Sequence, residues 1–304
     1  MKIISAEETY AVMSPADAVA ALRETLRSFD PADDVARQSA DLAGGGSLLM
    51  MPSSNEHGAG IKIITMNPES EKFSVPMIQG NYVLFEEGTL TPVALIDGAA
   101  ITSLRTPAVS IAGVLDFLEG SEEPLKVAIL GTGPQGYHHL TTLNSVFEGK
   151  RAVQASFISC SEPEDLSPWA DAGSDDATRF LAEAELIICA TTSPEPILTA
   201  DQIRSDAVVV ALGSHTPQAR ELPGELMEAA QVIVEDQETA LRECGDIIQA
   251  IDEGKLSIED TVTMREVVLG QKKLNRESPI VFKFSGMGWE DLSVAQKIFA
   301  KAND

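Results

Sequence analysis

The feature that most constrains the fold is a glycine motif, GxGxxG, formed by Gly131, Gly133 and Gly136. It directly follows an apolar, strand-like run, KVAIL, and precedes a helical stretch that starts near Gln135. In a strand–turn–helix unit the first glycine permits the tight turn, the second lets the backbone approach a pyrophosphate, and the third allows close helix packing. The order of these elements favours a dinucleotide site at the helix N-terminus over a purely structural glycine turn.

The segments on either side of this motif differ in pattern, and 304 residues exceed what one hydrophobic core usually serves. After the motif, the runs ASFISC, LIICAT, AVVVALG and VIVED alternate with helical stretches, which is typical of a parallel, doubly wound sheet. Before it, helical spacing predicts helices over 14–29 and 100–118, and short β-like runs between Ser47 and Leu95 predict an antiparallel sheet. The final run, LSVAQKIFAKA, predicts an amphipathic helix that packs back on the first domain. We therefore predict an α/β protein in which a Rossmann-type domain at 121–289 interrupts an α+β domain made of 1–120 and the C-terminal helix 290–304.

The composition argues against several classes of function. A net charge of −25 repels phosphate backbones and anionic lipid, so we expect neither nucleic acid nor a membrane as partner. No uninterrupted apolar run reaches the roughly 18 residues of a membrane span, and Glu7 and Glu8 stand where a signal peptide would be apolar. The three cysteines are too few and too scattered for a disulfide framework or a zinc site. We expect a cytoplasmic protein with reduced cysteines and no metal.

The end of the second predicted strand bears on cofactor choice. An acidic residue that binds the ribose 2′-hydroxyl is usual there, but this chain has Ser159, Cys160 and Ser161, with Glu162 coming late. The missing acid removes the repulsion that excludes a 2′-phosphate, although no arginine lies nearby to bind one. The pattern favours NADPH and leaves NADH open.

Two charged residues lie inside apolar runs. Arg105, in ITSLRTPAVSIAGVL, needs a partner such as a bound carboxylate or, alternatively, an internal salt bridge. Lys62 shares a strand face with Ile64, which predicts partial burial and a lowered pKa suited to proton transfer; an exposed strand lysine is the alternative. His215 follows AVVVALG at the carboxyl end of a strand, where ligands bind in open α/β folds, although it can equally be a surface loop histidine.

Several separate stretches resemble the ornithine cyclodeaminase/mu-crystallin family. They run from the first domain to the C-terminus, and ITSLRTPA together with GTGPQG and RELPGELM is far more specific than any one of them. The resemblance implies a substrate-binding and dimerising domain beside the Rossmann domain, and hence a homodimer. The stretches are GIKIITMNPES, GNYVLFEEGTLTPVALIDGAAITSLRTPAVS, GTGPQGYHH, GSHTPQARELPGELM, ETALRECGDI and FSGMGWEDLSVA.

The resemblance also implies roles for individual residues. Arg37, Lys62 and Arg105 would hold the carboxylate of a small imino acid, and Gln79 would line the substrate pocket. Thr106 would contact phosphate, and the FSGMGWED segment would offer backbone close to the nicotinamide, although that segment can be only a turn. The expected cofactor contacts are Thr106, Gly131, Gly133, Gln135, Gly136, Ser161, Thr191, Thr192, Gly213, Ser214, Met287 and Gly288. For Thr191 and Thr192, helix capping is an equally good interpretation, and Asp291 is an N-cap candidate for the last helix.

One departure from the family pattern indicates the reaction. Relatives that act on ornithine or alanine are expected to carry an Asp in the loop where this chain has Ser214 and His215. An ammonium substrate would lose its partner there, whereas a cyclic imine needs hydride, a proton and carboxylate contacts. We therefore predict an NAD(P)H-dependent reductase of Δ1-pyrroline-2-carboxylate or Δ1-piperideine-2-carboxylate, with Lys62 and His215 as catalytic residues. The alternatives are an ornithine cyclodeaminase, an alanine-type dehydrogenase and a mu-crystallin-like protein that binds NADPH and a small ligand.

Overall fold

The computed structural model describes residues 1–303, and the contacts within it divide the chain into two compact units. Unit 1 consists of Met1–Val109 and Gly286–Asp304, and unit 2 of Ser110–Ser285. The division at Val109 falls inside a continuous helix. A change of unit within a helix leaves no loop or shift in composition, which is why the sequence pattern places it near residue 120 instead.

The first part of unit 1 forms a six-stranded sheet in the order β1-β6-β5-β4-β3-β2. Strands β2 to β6 pair antiparallel, as predicted for β3 to β6, whereas β2, and β1, which pairs parallel with β6, were not predicted. The alternating burial along the longer strands leaves one face of the sheet inside the unit. The strands are β1 (Lys2–Ile4), β2 (Gln38–Asp41), β3 (Ser47–Asn55), β4 (Gly58–Met66), β5 (Ile78–Glu86) and β6 (Pro92–Asp97).

Two of the three helices that begin in this part were predicted. Helix α2 (Pro15–Ser28) starts where the sequence indicated, because the Ser14 side chain accepts a hydrogen bond from the backbone N–H of Asp17. Helix α3 (Gly98–Leu118) contains Arg105 and Thr106, and most of its length is buried. It is long and apolar enough to cross a membrane, but buried core helices commonly have the same length and composition. The short helix α1 (Ala6–Val12) was not predicted.

Unit 2 contains an eight-stranded, wholly parallel sheet in the order β13-β12-β14-β11-β10-β7-β8-β9. The predicted Rossmann-type sheet is thus confirmed. Three of its strands, β9, β13 and β14, were not among the predicted runs. The strands are β7 (Leu125–Leu130), β8 (Val153–Ser159), β9 (Trp169–Asp171), β10 (Leu186–Cys189), β11 (Val208–Ala211), β12 (Gln231–Val234), β13 (Val262–Thr263) and β14 (Ile280–Lys283).

Helices alternate with these strands, and β10, β11 and β14 are buried along their whole length. Burial on both faces is the expected state of a parallel sheet, and it explains why these strands read as unbroken apolar runs. The helices are α4 (Pro134–Phe147), α5 (Asp175–Glu183), α6 (Gly224–Ala229), α7 (Gln237–Glu243), α8 (Gly245–Asp252) and α9 (Met264–Val268).

The chain ends in helix α10 (Gly288–Lys301), which returns to unit 1 and packs on α2, β3 and β4. The last helix was expected to pack on the first domain, and these contacts lie with elements of that part of the chain. Gly288 fits there because a Cβ at this position would lie 2.5 Å from the carbonyl oxygen of Pro52 on β3.

Candidate active site

Lys62 is fully buried on the inner face of β4. Strand alternation places it on the same face as Ile64 and Gly60, opposite the outward-facing Ile63. Its Nζ lies 2.8 Å from Oδ1 of Asp291. Burial, with the nearby charge of Arg105, lowers the pKa of Lys62 to about 8, while Asp291 opposes that shift. The sequence prediction of a desolvated lysine with a lowered pKa agrees with this environment.

Arg105 is buried in α3 and forms internal ion pairs. Its Nη1 donates to Oε2 of Glu290 at 2.9 Å, and its Nε lies 3.3 Å from Oδ1 of Asp291. The guanidinium also lies directly over Gly286, where a Cβ would be 2.3 Å from Nη1. Gly286 has φ +87°, so glycine is required there for both its backbone angle and the space it leaves. The alternative interpretation of Arg105, an internal salt bridge, is therefore present in the structure.

The first turn of α10 supplies the carboxylates for both cations. Met287 is the N-cap residue, and its N–H donates to Oε1 of Glu290 at 3.0 Å, so Glu290 caps the helix while it pairs with Arg105. Asp291 was expected to be the N-cap residue, but this is wrong, because it lies inside the helix and is fully buried. Its Oδ1 is shared by Lys62 and Arg105, so two buried cations converge on one carboxylate oxygen.

A third carboxylate and a phenol belong to the same cluster. Asp34 accepts a hydrogen bond from the N–H of Trp289 at 2.8 Å, and burial raises the pKa of Asp34. Tyr82 is paired with Lys62 across the strands, and its buried hydroxyl has no hydrogen-bond partner within residues 1–303. Burial, together with the negative charges of Asp291 and Asp34, raises the pKa of Tyr82 well above its ordinary value. Gly60 is required beneath this ring, since a Cβ there would lie 2.0 Å from the hydroxyl.

The remaining predicted residues of unit 1 are placed less centrally. Arg37 is half-buried in the segment before β2, and Gln79 is exposed at the start of β5. Thr106 is buried beside Arg105 on α3. The roles of Arg37 and Gln79 at the substrate stay predictions.

In unit 2 the glycine loop has the geometry that the motif predicts. Gly131 has φ +107°, and a Cβ there would lie 2.4 Å from the carbonyl oxygen of Ala190. A Cβ on Gly136 would lie 2.3 Å from the carbonyl oxygen of Gly131. A Cβ on Gly133 would meet nothing within 4 Å, and Gly133 is the N-cap of α4 without a side-chain cap. The second glycine therefore exposes backbone to open space at a helix N-terminus, which fits a pyrophosphate.

A cavity of about 520 Å³ adjoins this loop. It is lined by the glycine loop, by the ends of β8 and β10, and by the start of α5. Ser159, Cys160, Thr191 and Thr192 all line it, whereas Ser161 and Glu162 are exposed beyond the end of β8. Ser159 accepts a hydrogen bond from Nε1 of Trp169, so its hydroxyl is already engaged. The amide oxygen of Gln135 is buried, and no other described residue forms a hydrogen bond with it.

The loops after β10 and β11 are tied together by a residue that we did not predict. Oε1 of Glu221 accepts from the backbone N–H and the hydroxyl of Thr191, each at 2.8 Å, and Oε2 accepts from the N–H of Gly213 at 2.7 Å. The hydroxyl of Ser214 donates to Asp246 at 2.6 Å. The predicted side-chain contacts of Thr191 and Ser214 with a cofactor thus compete with internal partners.

The histidines occupy different environments. His215 is exposed in the loop after β11. His139 is fully buried in α4, with Nε2 2.7 Å from the Ser110 hydroxyl and Nδ1 2.7 Å from the Gln135 carbonyl oxygen. Burial lowers the pKa of His139 to about 4, so at neutral pH it is an uncharged packing residue.

Five acidic or basic residues with direct partners in these clusters were missed. Lys283 and Asp246 form a fully buried pair in unit 2, with Nζ 3.0 Å from Oδ2. The signal was available, because Lys283 interrupts the apolar run IVFKF just as Lys62 interrupts its own strand. Within residues 1–303, no group of three or more His, Cys, Asp or Glu residues is arranged to hold a metal ion. The missed residues are Glu221, Asp246, Lys283, Glu290 and Asp34.

Known proteins resemble this chain along most or all of its length. Ketimine reductase mu-crystallin of Mus musculus is 31% identical over 84% of this chain and 80% of its own. The Δ1-pyrroline-2-carboxylate reductase of Bacillus cereus is 27% identical over 99% of this chain and 97% of its own. Among solved structures, the Thermococcus litoralis Δ1-pyrroline-2-carboxylate reductase in complex with NADH and L-proline superposes with a TM-score of 0.87. It is 24% identical and covers 100% of this chain and 98% of its own, which supports the fold.

The model of the ornithine cyclodeaminase/mu-crystallin family matches residues 2–304. The stretches that carry the resemblance include the strand of Lys62, the helix of Arg105, the glycine loop and the start of α10, all described above. The chain belongs to the ornithine cyclodeaminase/mu-crystallin family.

Proposed function

We propose that this chain is an NAD(P)H-dependent reductase of a small cyclic imino acid. The first substrate is Δ1-pyrroline-2-carboxylate, which yields L-proline, and the second is Δ1-piperideine-2-carboxylate, which yields L-pipecolate. The two relatives described above are a ketimine reductase and a Δ1-pyrroline-2-carboxylate reductase, and they support imine reduction as the general activity of this enzyme.

The observation that carries the proposal is the convergence of Lys62 and Arg105 on one carboxylate oxygen of Asp291. It supports the assignment of these two cations to a substrate carboxylate, because their spacing already fits such a group. Two cations, Lys62 and Arg105, face two carboxylates, Glu290 and Asp291, in direct ion pairs. A substrate carboxylate therefore competes with Glu290 and Asp291 for the same donors, with Arg37 as a third contact.

Reduction adds a hydride to the imine carbon and a proton to the imine nitrogen. A bound nicotinamide supplies the hydride. The residues of unit 2 fit such a dinucleotide, since Gly133 offers open backbone at the N-terminus of α4 beside the cavity. The proposed contacts are Thr106, Gly131, Gly133, Gln135, Gly136, Ser161, Thr191, Thr192, Gly213, Ser214, Met287 and Gly288.

The proton comes from Lys62 or His215. Lys62 has a pKa of about 8, so near neutral pH it is mostly protonated, and it is a stronger acid than a lysine with the ordinary pKa. His215 is exposed in the loop after β11. Replacing His215 by Ala lowers kcat about a hundredfold if the imidazole is the general acid; an unchanged kcat assigns the role to Lys62.

The loop chemistry favours an imine over an ammonium substrate. The carboxylate that contacts Ser214 is Asp246, and this carboxylate is paired with Lys283. It therefore carries no uncompensated negative charge for an ammonium group, whose burial without a partner costs several kcal/mol. This supports reduction rather than the deamination of ornithine or alanine.

The finer features of the proposal follow from the sequence. NADPH is at least as good a reductant as NADH, because Ser159 and Cys160, rather than an acid, line the cavity at the end of β8. The enzyme acts in the cytoplasm as a homodimer, with unit 1 as the substrate-binding and dimerisation domain and unit 2 as the dinucleotide-binding domain.

The test is the oxidation of NADPH and of NADH, each with both cyclic imines, followed by identification of the product. The proposal predicts stoichiometric formation of L-proline or L-pipecolate, with kcat/KM for NADPH at least comparable to that for NADH. Absence of turnover with both imines and both cofactors would contradict it.

A further inference from the structure

Glu221 occupies an unusual position for a buried carboxylate. It follows β11 in the chain and is fully buried, and burial raises its pKa. Yet its carboxylate oxygens accept hydrogen bonds from uncharged groups. Its two oxygens accept from the N–H and hydroxyl of Thr191 and from the N–H of Gly213.

The two residues that supply these donors lie in loops at the carboxyl ends of neighbouring parallel strands. Thr191 follows β10 and Gly213 follows β11, and the strands are paired along their whole length. The loops touch, since a Cβ on Gly213 would lie 2.0 Å from the carbonyl oxygen of Thr191 and 2.5 Å from Oε1 of Glu221. Glycine at 213 is therefore required for the carboxylate to reach both loops at once.

A second buried charge pair fixes Glu221 itself. Oδ1 of Asp246 accepts from the backbone N–H groups of Glu221 and Leu222 at 2.8 and 2.9 Å. Oδ2 of Asp246 lies 3.0 Å from Nζ of Lys283, which also donates to the carbonyl oxygen of Ser214 at 2.7 Å. Although burial opposes both charges, the pair raises the pKa of Lys283 and lowers that of Asp246.

We propose that Glu221 is a positioning residue for the dinucleotide, which acts by tying the loop after β10 to the loop after β11. Asp246 of the Lys283–Asp246 pair fixes the position of Glu221 by accepting from its backbone N–H. Lys283 fixes the Ser214 backbone by donating to its carbonyl oxygen. The inference rests on the proposed function, because it assumes that these loops contact a dinucleotide. Thr191 lines the cavity beside the glycine loop, so a displaced Thr191 changes that cavity directly.

The decisive variant is Glu221→Gln. A carboxylate offers two acceptor oxygens, whereas an amide offers one acceptor and one donating NH₂ group. The NH₂ group must then face the N–H of Thr191 or of Gly213, so one of the two loops has to move. We expect the dissociation constants of NADPH and NADH, measured by nicotinamide fluorescence, to rise about tenfold, the effect of one such bond.

The matched control is Glu185→Gln in the same unit. Glu185 also places both oxygens on donors, with Oε2 2.6 Å and Oε1 3.2 Å from the guanidinium of Arg151. It precedes β10, at the opposite edge of the sheet from Thr191. We expect Glu185→Gln to lower Tm while the dissociation constants of both dinucleotides stay within twofold of the parent values. Where Glu221→Gln gives no folded protein, Glu221→Asp keeps the charge and both acceptors on a shorter side chain and serves for the same comparison.

The outcomes separate the two proposals. A parent protein that binds neither dinucleotide overturns the proposed function. A parent protein that binds, with a Glu221→Gln variant that binds equally well, overturns only the role of Glu221. Equal losses of affinity in the Glu221 and Glu185 variants, in proportion to their losses of Tm, also overturn it, because the effect is then general destabilisation. A loss confined to the Glu221 variant supports it.

Discussion

At the scale of single residues, the candidate site consists of buried cations that are paired with buried carboxylates. Arg105 pairs with Glu290 and lies close to Asp291, and Lys62 pairs with Asp291. A buried ion pair contributes little net stability but becomes costly when one partner is removed. Arg105 can therefore be structural, substrate-binding or both, and a substitution that keeps its charge separates these roles.

Arg105→Lys keeps the positive charge beside Glu290 but loses the planar, bidentate guanidinium. We expect kcat/KM for the imino acid to fall at least tenfold, which is about 1.4 kcal/mol of lost transition-state binding, with little change in NADPH affinity. The control is Arg151→Lys, which alters a buried arginine paired with Glu185 in unit 2. It should lower Tm without raising KM for the imino acid, and equal kinetics in parent and Arg105→Lys would make Arg105 purely structural.

The lowered pKa of Lys62 predicts a pH dependence of opposite sign for activity and stability. As pH rises through about 8, folded Lys62 loses its charge, so kcat/KM for the imino acid should fall. The unfolded chain holds that proton up to the ordinary value of 10.5, so the contribution of Lys62 to the free energy of unfolding rises between these pH values. Lys62→Arg stays charged and should lose this basic limb. Persistence of the limb in that variant would remove Lys62 from the pH profile.

Isolated charges in apolar runs were the best residue-level signal in the sequence. That signal found Lys62 and Arg105, and applied consistently it would also have found Lys283 in IVFKF. It could not find the carboxylates that pair with these cations, namely Asp291, Glu290 and Asp246. Each is far from its cation in the sequence and comes close to it only in the folded chain. Asp291 was misassigned for this reason, since an acidic residue near the start of a helix ordinarily indicates a cap.

At the scale of elements, the loop between β7 and α4 carries the dinucleotide assignment. The three glycines differ in what surrounds them: Gly131 and Gly136 face backbone atoms, whereas Gly133 faces open space. Only at Gly133 can a side chain be added without a clash inside the protein, so only there does a substitution test ligand binding rather than folding.

Gly133→Val should fold normally and bind dinucleotide at least about tenfold more weakly, because the new side chain occupies the approach to the helix N-terminus. Fluorescence titration with NADPH measures the affinity and thermal unfolding measures the fold. Gly44→Val is the control, since a Cβ there also meets nothing within 4 Å but lies in unit 1. An unchanged titration in folded Gly133→Val would overturn the dinucleotide assignment.

Elements with a strong period or a clear cap were predicted well from sequence. Helix α2 has both, and the glycine motif fixes β7 and α4 together. The strands that were missed are short, such as β1 and β13, or were hidden among polar residues, such as β9. Strand β1 exists only through its pairing with β6, which is a long-range contact that no local pattern records.

At the scale of the whole molecule, exposed apolar side chains are unevenly distributed. Most of the large exposed apolar residues in the described chain belong to unit 1, and only two belong to unit 2. Association surfaces commonly expose apolar side chains, so unit 1 is the place to test the proposed dimer. The large apolar residues that are exposed between positions 60 and 90 are Ile63, Phe73, Val75, Met77 and Leu90.

The proposal predicts a mass in solution of about twice the 32.4 kDa of one chain, measured by sedimentation equilibrium. Met77→Asp places a charge among the exposed apolar residues of unit 1 and should shift the equilibrium toward monomer. Leu241→Asp, at an equally exposed apolar residue of unit 2, should leave the mass unchanged. A monomeric parent protein, or equal effects of both variants, would contradict dimerisation through unit 1.

The central claim, that this enzyme reduces a cyclic imine rather than deaminating an amino acid, is tested most directly by one comparison. Ammonia release from ornithine without added cofactor is measured beside NADPH oxidation with Δ1-pyrroline-2-carboxylate, using the same preparation of the unaltered protein. The account predicts rapid oxidation with the imine and little ammonia from ornithine, because Asp246, the carboxylate that contacts Ser214, is already paired with Lys283. Rapid ammonia release from ornithine, with slow or absent imine reduction, would contradict it.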